Sequence, residues 1–290
     1  MSNYENVLPL EERGKIRQDT TLRILSITVV IIGTIVAAMY ILPYYILVIA
    51  SVGANIYMRP PQLFPLMLKM DAFVRIITNP GFNIWIINSL IYSICITLGM
   101  LAICAPTAYA LSRMHFRGRT QLFWLVISMM MFPLVVMYVP LYILLAKLQL
   151  LNTYPGVILP LIASPYVTFF LKQSFDSIPK EYEEAAFIDG AGRLYIIFKI
   201  FFPLVRPAIL TVTFLQFIAQ WNNLAWPLFA ATSPTMWNLP LAIWNLGWSY
   251  TRDYWIIGAG GTILFILPLI MFVVASETIL RGIVVRGIKG

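Results

Sequence analysis

The chain has 290 residues, 60% of them hydrophobic and 11% charged, where a soluble domain carries roughly a quarter charged. That composition excludes an ordinary soluble enzyme. The 20 Lys or Arg and 12 Asp or Glu leave six charge-free intervals, 24–58, 76–112, 120–146, 148–171, 207–251 and 254–276, each able to hold the ~20 apolar residues that cross a bilayer.

One polytopic, all-α membrane domain with six transmembrane helices is therefore expected over 24–277, between a polar segment 1–23 and a tail 278–290. Segments 1–23, 113–119, 172–206 and the tail from Arg281 hold four, three, five and three basic residues, and the alternate connections hold only five. This asymmetry places both termini in the cytoplasm. The formal net charge of +8 thus reports topology rather than binding to nucleic acid.

Residues 1–22 are too long and too acidic for the start of a cleaved signal, so the first span, about 24–50 with a kink at Pro43, is expected to stay as an anchor. An exterior connection follows with Arg59, Pro60, Pro61, Lys69, Asp71 and Arg75, and its stretch 66–77 has the helical spacing of an interfacial helix. Further spans are expected at about 84–111, 121–146, 154–172, 207–231 and 254–277, with a turn at Asn152 to Gly156. Cys95 and Cys104 lie nine residues apart on one predicted helix, too far to pair within it, and are expected to pack. His115 is the single histidine and falls in a cytoplasmic turn, where it builds no metal site.

The long cytoplasmic connection 173–206 carries the strongest signal. Ser177 is expected to cap a helix whose first turn accepts Pro179 and the acids Glu181, Glu183 and Glu184. Asp189-Gly190 should end it, and a second helix should run from about Gly192 to Phe202, before Pro203. Ala185, Ala186, Gly190, Ala191 and Gly192 cluster at the bend, where small residues admit another protein surface or let the loop pack on its own bundle.

The string from Glu184 through Ala185, Ala186 and Gly190 to Ile200 and Pro203 keeps the spacing EAA, three residues, G, nine residues, I, two residues, P. It resembles the cytoplasmic loop of permeases in binding-protein-dependent ABC importers. The chain is also similar to the maltose-transporter type of carbohydrate permease over about 70–290, through Thr78 to Phe82 with Asn88-Ser89, Ala108 to Arg113, Gln220 to Asn223 and Arg286 to Gly290. The resemblance implies a type I importer permease fold in a bacterial inner membrane. It also implies partners: a second permease subunit, two cytoplasmic ATPase subunits that bind ATP and Mg, and an extracytoplasmic solute-binding protein. Residues 179–191 would be the coupling helix, with Glu183, Glu184, Ala185, Ala186, Asp189 and Gly190 at the ATPase. This chain would bind no cofactor and has no GxxxxGK[ST] loop.

No acid lies inside the six intervals, which weakens the alternative of an ion-coupled secondary sugar transporter. The amides Asn88, Gln216, Gln220, Asn222 and Asn223, with Trp221 and Trp226, either glue helices together or line a sugar path. Amides suit hydroxyl groups, and indole faces suit pyranose rings. The resemblance assigns the exterior loop 232–253, with Trp237, Asn238, Trp244, Asn245 and Trp248, to the binding protein. Tyr250 and Trp255 extend the same aromatic belt. Lys147 and Arg252 leave an acidic sugar open beside a neutral oligosaccharide.

Overall fold

The computed structural model describes residues 10–53, 62–65, 68–248 and 253–284, and the regular elements in them are helices. Arg59 to Pro61, Tyr250, Arg252 and Arg286 to Gly290 lie outside the described residues. In chain order come α1 (Leu10–Ser51), α2 (Asp71–Ile77), α3 (Phe82–Arg113) and α4 (Arg119–Met130). A 3₁₀ turn, Leu134–Met137, leads into α5 (Tyr138–Lys147). Then follow α6 (Tyr154–Ile158) with its 3₁₀ extension Leu159–Leu161, α7 (Pro165–Asp176) and α8 (Glu181–Ile188). The chain continues through α9 (Arg193–Tyr195), a π-helical turn Ile196–Phe201, and α10 (Phe202–Leu204). The last elements are α11 (Arg206–Trp221), α12 (Ala225–Ala230), the turn Pro234–Met236, α13 (Leu239–Gly247) and α14 (Tyr254–Val284).

Three stretches, Leu25–Ser51, Phe82–Arg113 and Tyr254–Val274, are long and apolar enough to cross a bilayer as single helices. Three others qualify only as bent pairs: Arg119–Met130 with Leu134–Lys147 at 91°, Tyr154–Leu161 with Pro165–Asp176 at 46°, and Arg193–Leu204 with Arg206–Trp221 at 78°. Counting each pair as one crossing gives six. The expected continuous spans at 121–146, 154–172 and 207–231 are thus corrected to broken ones. The cause is local. Pro133 and Pro165 lack an N–H and push the residue before them out of the helical region. The stretch 207–231 stops at Trp221 and restarts at Ala225, after Asn222 to Leu224. In contrast, α1 runs through Pro43 without interruption and begins at Leu10, well before the expected start.

The two middle crossings carry the packing. Helix α3 buries a face from Trp85 to Arg113 and lies chiefly against α7 and α11. Tyr92, Ile96, Met100, Cys104, Ala105 and Ala108 meet Val167, Leu171 and Phe175 in the main core. Buried Cys104 bonds Ser164 through its sulfur, whereas Cys95 points outward, which corrects its expected packing role. Helix α14 approaches α1 and α13 closely because it carries small residues at the crossings. A Cβ on Gly258 would stand 3.1 Å from the Ser51 nitrogen, and one on Gly260 would stand 2.3 Å from Ile243. At the other end of α2, Arg75 pairs with Asp253 at 3.0 Å, and Asp253 also accepts from the Ile256 amide.

The expected turn at Asn152 is present and is fastened twice. Asn152 has φ 56°, its Nδ2 donates to Thr232, its Oδ1 accepts from the Ser233 amide, and Thr153 caps α6 by accepting from Gly156 N at 3.1 Å. A Cβ at Gly156 would fall 2.0 Å from the Leu150 carbonyl oxygen, a backbone atom that cannot step aside. Gly156→Ala is expected to cost about 1–3 kcal/mol, as forced overpacking does. A lower melting temperature of the protein in mild detergent checks this, and an unchanged one refutes it.

Candidate functional site

Helix α3 presents hydrogen-bonding side chains at both ends of its buried face. Near its start, Trp85, Asn88, Ser89 and Tyr92 follow the i, i+3, i+4, i+7 spacing of one helical stripe. Trp85 Nε1 donates to the Pro234 carbonyl at 3.2 Å, and Tyr92 Oη donates to the Met236 carbonyl at 2.8 Å. Asn88 Nδ2 donates to the carbonyls of Thr235 and Trp237, both at 2.9 Å, while its Oδ1 accepts from Tyr154 Oη at 2.8 Å. Ser89 Oγ accepts from the Leu239 amide at 2.7 Å. The stretch 234–238, a 3₁₀ turn followed by extended residues, is thereby stitched to α3.

These bonds correct several expected roles. Asn88 is fully buried with its amide engaged, as the helix-joining role requires. Trp221 and Trp226 are also buried, and their Nε1 groups donate to the carbonyls of Leu264 and Val157 at 3.0 Å each. Asn238 is 1% exposed, caps α13 by accepting from the Leu241 amide, and donates to the Asn223 carbonyl at 2.7 Å. It is therefore a buried cap and not a surface contact. Trp237 packs against Trp85 with ring centroids 6.4 Å apart.

What stays accessible is narrower. On α11, Gln216 and Gln220 are half-buried and one helical turn apart, and Asn222 is exposed. Gln220 Oε1 accepts from Asn223 Nδ2 at 3.1 Å, and Asn223 Oδ1 accepts from the Trp226 amide, so Asn223 closes the break between α11 and α12. On α13, Trp244 and Trp248 form an exposed pair with centroids 4.8 Å apart, beside Asn245, which donates to the Leu241 carbonyl. Helix α13 itself is largely buried, so the described part of the expected loop, 232–248, is a turn and a packed helix.

The segment between α7 and α11 follows the expected helix, turn, helix order with shifted boundaries. Helix α8 has no side-chain cap, and Ser177 instead donates to the Ser174 carbonyl at the end of α7. Pro179 precedes α8, and the second helix includes a π turn and continues past Pro203 to Leu204. Glu184, Ala185, Asp189 and Gly190 are exposed, whereas Ala186 is buried against the core. Glu183 turns inward, its Oε1 accepting from Tyr109 Oη at 3.2 Å, which moves it from the expected docking surface to the bundle. Around Glu184 exposed apolar side chains, Tyr182, Phe187, Ile188, Leu194 and Tyr195, stand among the exposed charges of Lys180, Glu181, Asp189 and Arg193, with Ile188 86% exposed.

Gly190 has φ +79°, and a Cβ there would meet nothing within 4 Å, as at Gly192, whose φ is −72°. Its requirement is conformational and not steric. Gly190→Ala is expected to open the turn about tenfold more often, from the 1–2 kcal/mol that a left-handed residue costs, while Gly192→Ala leaves it unchanged. Amide exchange at Ala191, whose N–H donates to the Ala186 carbonyl, measures both.

Residues 96–289 match the family described as "Binding-protein-dependent transport system inner membrane component". The chain is 37% identical over 227 residues to the arabinooligosaccharides transport system permease protein AraQ of Halalkalibacterium halodurans, covering 78% of this chain and 81% of that one. It is 27% identical over 271 residues to the sulfoquinovosyl glycerol transport system permease protein SmoH of Agrobacterium fabrum, covering 93% and 94%. Among solved structures, a bacterial ABC transporter involved in the import of the acidic polysaccharide alginate superposes with a TM-score of 0.72 at 24% identity, over 88% of this chain and 96% of that one. The apolar crossings, the broken helices stitched by buried amides and the exposed α8 knob thus belong to an integral membrane protein with the type I importer permease fold, and the chain is a member of the binding-protein-dependent transport system inner membrane components.

Proposed function

We propose that this chain is one of two permease subunits of an ATP-driven importer that moves an oligosaccharide across the bacterial cytoplasmic membrane, with both of its termini in the cytoplasm. An extracytoplasmic binding protein delivers the sugar, and a pair of ATPase subunits hydrolyses ATP with Mg on the other side. The observation that carries this reading is α8, a short helix that raises Glu184 and small residues amid exposed apolar side chains. Such a surface is costly in water unless a partner covers it. Ala185 and Gly190 let that partner approach the backbone, and Glu184 offers it a carboxylate.

The sugar assignment rests on relatives named for arabinooligosaccharides and sulfoquinovosyl glycerol, and on the accessible amides of α11. The Gln216 side chain makes no hydrogen bond among the described residues, and Gln220 lies one turn further along. An amide offers both a donor and an acceptor, which matches a hydroxyl-rich solute. Trp244 and Trp248, at the far end of α13, are suited to contact the binding protein or its cargo. Conversion between inward- and outward-facing states proceeds by rigid-body motion of packed helices as the ATPase pair closes.

The decisive experiment reconstitutes the chain with its permease, ATPase and binding-protein partners. Sugar-loaded binding protein is expected to stimulate ATP hydrolysis, and Glu184→Ala to reduce that stimulation about tenfold, as the loss of one partner of a charged interfacial contact does. Unchanged stimulation in that variant, or import by the two permeases without the ATPase, would sink this reading.

A further inference from the structure

The last turn of α3 faces the α8 segment with three polar side chains in register. Tyr109, Ser112 and Arg113 stand at i, i+3 and i+4 and so share one helical face. Tyr109 Oη donates to Glu183 of α8 at 3.2 Å. Ser112 Oγ donates to Asp176 Oδ1 at 2.5 Å, and the other oxygen of that carboxylate pairs with Lys172 at 2.5 Å. Arg113 Nη2 donates to the carbonyls of Phe175 and Ile178, and its guanidinium lies 5.0 Å above the Phe201 ring. Tyr109 packs edge-on against both Phe175 and Phe201.

These partners are not scattered. Phe175, Asp176 and Ile178 are where the chain leaves α7 for the α8 segment, and Phe201, in the π turn, is where it returns toward α11. Both feet of the segment, and one side chain of α8 itself, therefore rest on a single helical turn. Arg113 is 8% exposed, and a charge so buried is stable only while its acceptors stay in place. The opposite end of the same rigid helix holds the 234–239 stretch through Trp85, Asn88, Ser89 and Tyr92. Tyr92 and Tyr109 are separated by 17 residues, about 25 Å at the rise of a helix.

We propose that Tyr109, Ser112 and Arg113 are positioning residues that lock α8 to α3, so that displacement of α8 by its ATPase moves α3 as one body and carries the 234–239 stretch with it. This rests on the permease reading above. The lock places transmission in the unbroken helix α3, which runs on through Pro106. It does not pass through the 78° elbow that joins the π turn to α11, where bending would absorb the displacement.

The test uses the complete reconstituted importer and reads sugar imported per ATP hydrolysed, normalised to assembled complex. Tyr109→Phe and Glu183→Leu are each expected to lower that ratio about threefold to tenfold, the range through which residues along a coupling route act. The double variant should fall no further than the worse single, because both changes remove one bond. Arg113→Lys, which keeps the charge and loses the planar fork, should lower the ratio at least as much. Side chains that merely support the fold would reduce the yield of complex and leave the ratio per complex at its wild-type value. An unchanged ratio in Tyr109→Phe, whose ring still packs on Phe175 and Phe201, overturns the proposal whatever the assembly of Arg113→Lys. A wild-type complex that imports nothing overturns the permease reading itself, whereas normal wild-type import with unchanged variant ratios overturns the lock alone.

Discussion

The constraint on which the molecule depends is that a polar group at membrane depth must find a partner inside the protein. Helix α3 meets it at both ends for all but two of its buried side-chain atoms, Thr97 Oγ1 and Arg113 Nε, which have no partner among the described residues. Asn88 supplies two donors and one acceptor, and all three are used, on Thr235, Trp237 and Tyr154. Between the polar ends the same face is apolar or small, from Ile96 through Met100 and Cys104 to Ala108, and it packs against α7. An amide or phenol left unpaired there would cost about 1–3 kcal/mol, so each one fixes the element opposite it. The helix thus holds both the 234–239 stretch and α8.

The helix breaks obey the same rule. Each interruption frees backbone groups, and at several of them a short polar side chain takes one up. Thr153 caps α6, Ser164 caps α7, Asn223 accepts from the first turn of α12, and Asn238 caps α13. Asn, Ser and Thr serve because their oxygen lies two or three atoms from the backbone and reaches an amide of the next turn. A bundle built this way has short helices joined at angles of 46° to 91°, which supplies joints that a set of straight spans lacks.

The sequence made the crossings legible because charge is excluded from hydrocarbon, and the charge-free interval 76–112 contains nearly all of α3. It also located the α8 segment and the glycine at its end. It was silent on the breaks, since an interval without charge looks the same whether its helix is straight or bent. Residue type alone also left the amides undecided between two roles. Asn88 and Gln216 carry the same functional group, but one is enclosed by Thr235, Trp237 and Tyr154 and the other is not. The i, i+3, i+4, i+7 spacing of Trp85, Asn88, Ser89 and Tyr92 was the available signal that Asn88 belonged to a packed stripe. Glu183 and Glu184 differ in the same way, since neighbours on a helix point about 100° apart. One faces Tyr109 and the other faces out.

Exposure along the remaining spans separates two kinds of surface. Most of α1 is apolar and exposed over a continuous helix, which hydrocarbon tolerates because, apart from the bond that Pro43 cannot donate, its interior backbone groups are bonded within the helix. The elbow between α4 and α5 is equally apolar, with Met131 82% and Phe132 70% exposed, but its backbone leaves the helix at Pro133 and turns through 91°. Irregular backbone at that depth is stable only against protein or water. The elbow therefore cannot share the lipid environment that suits α1.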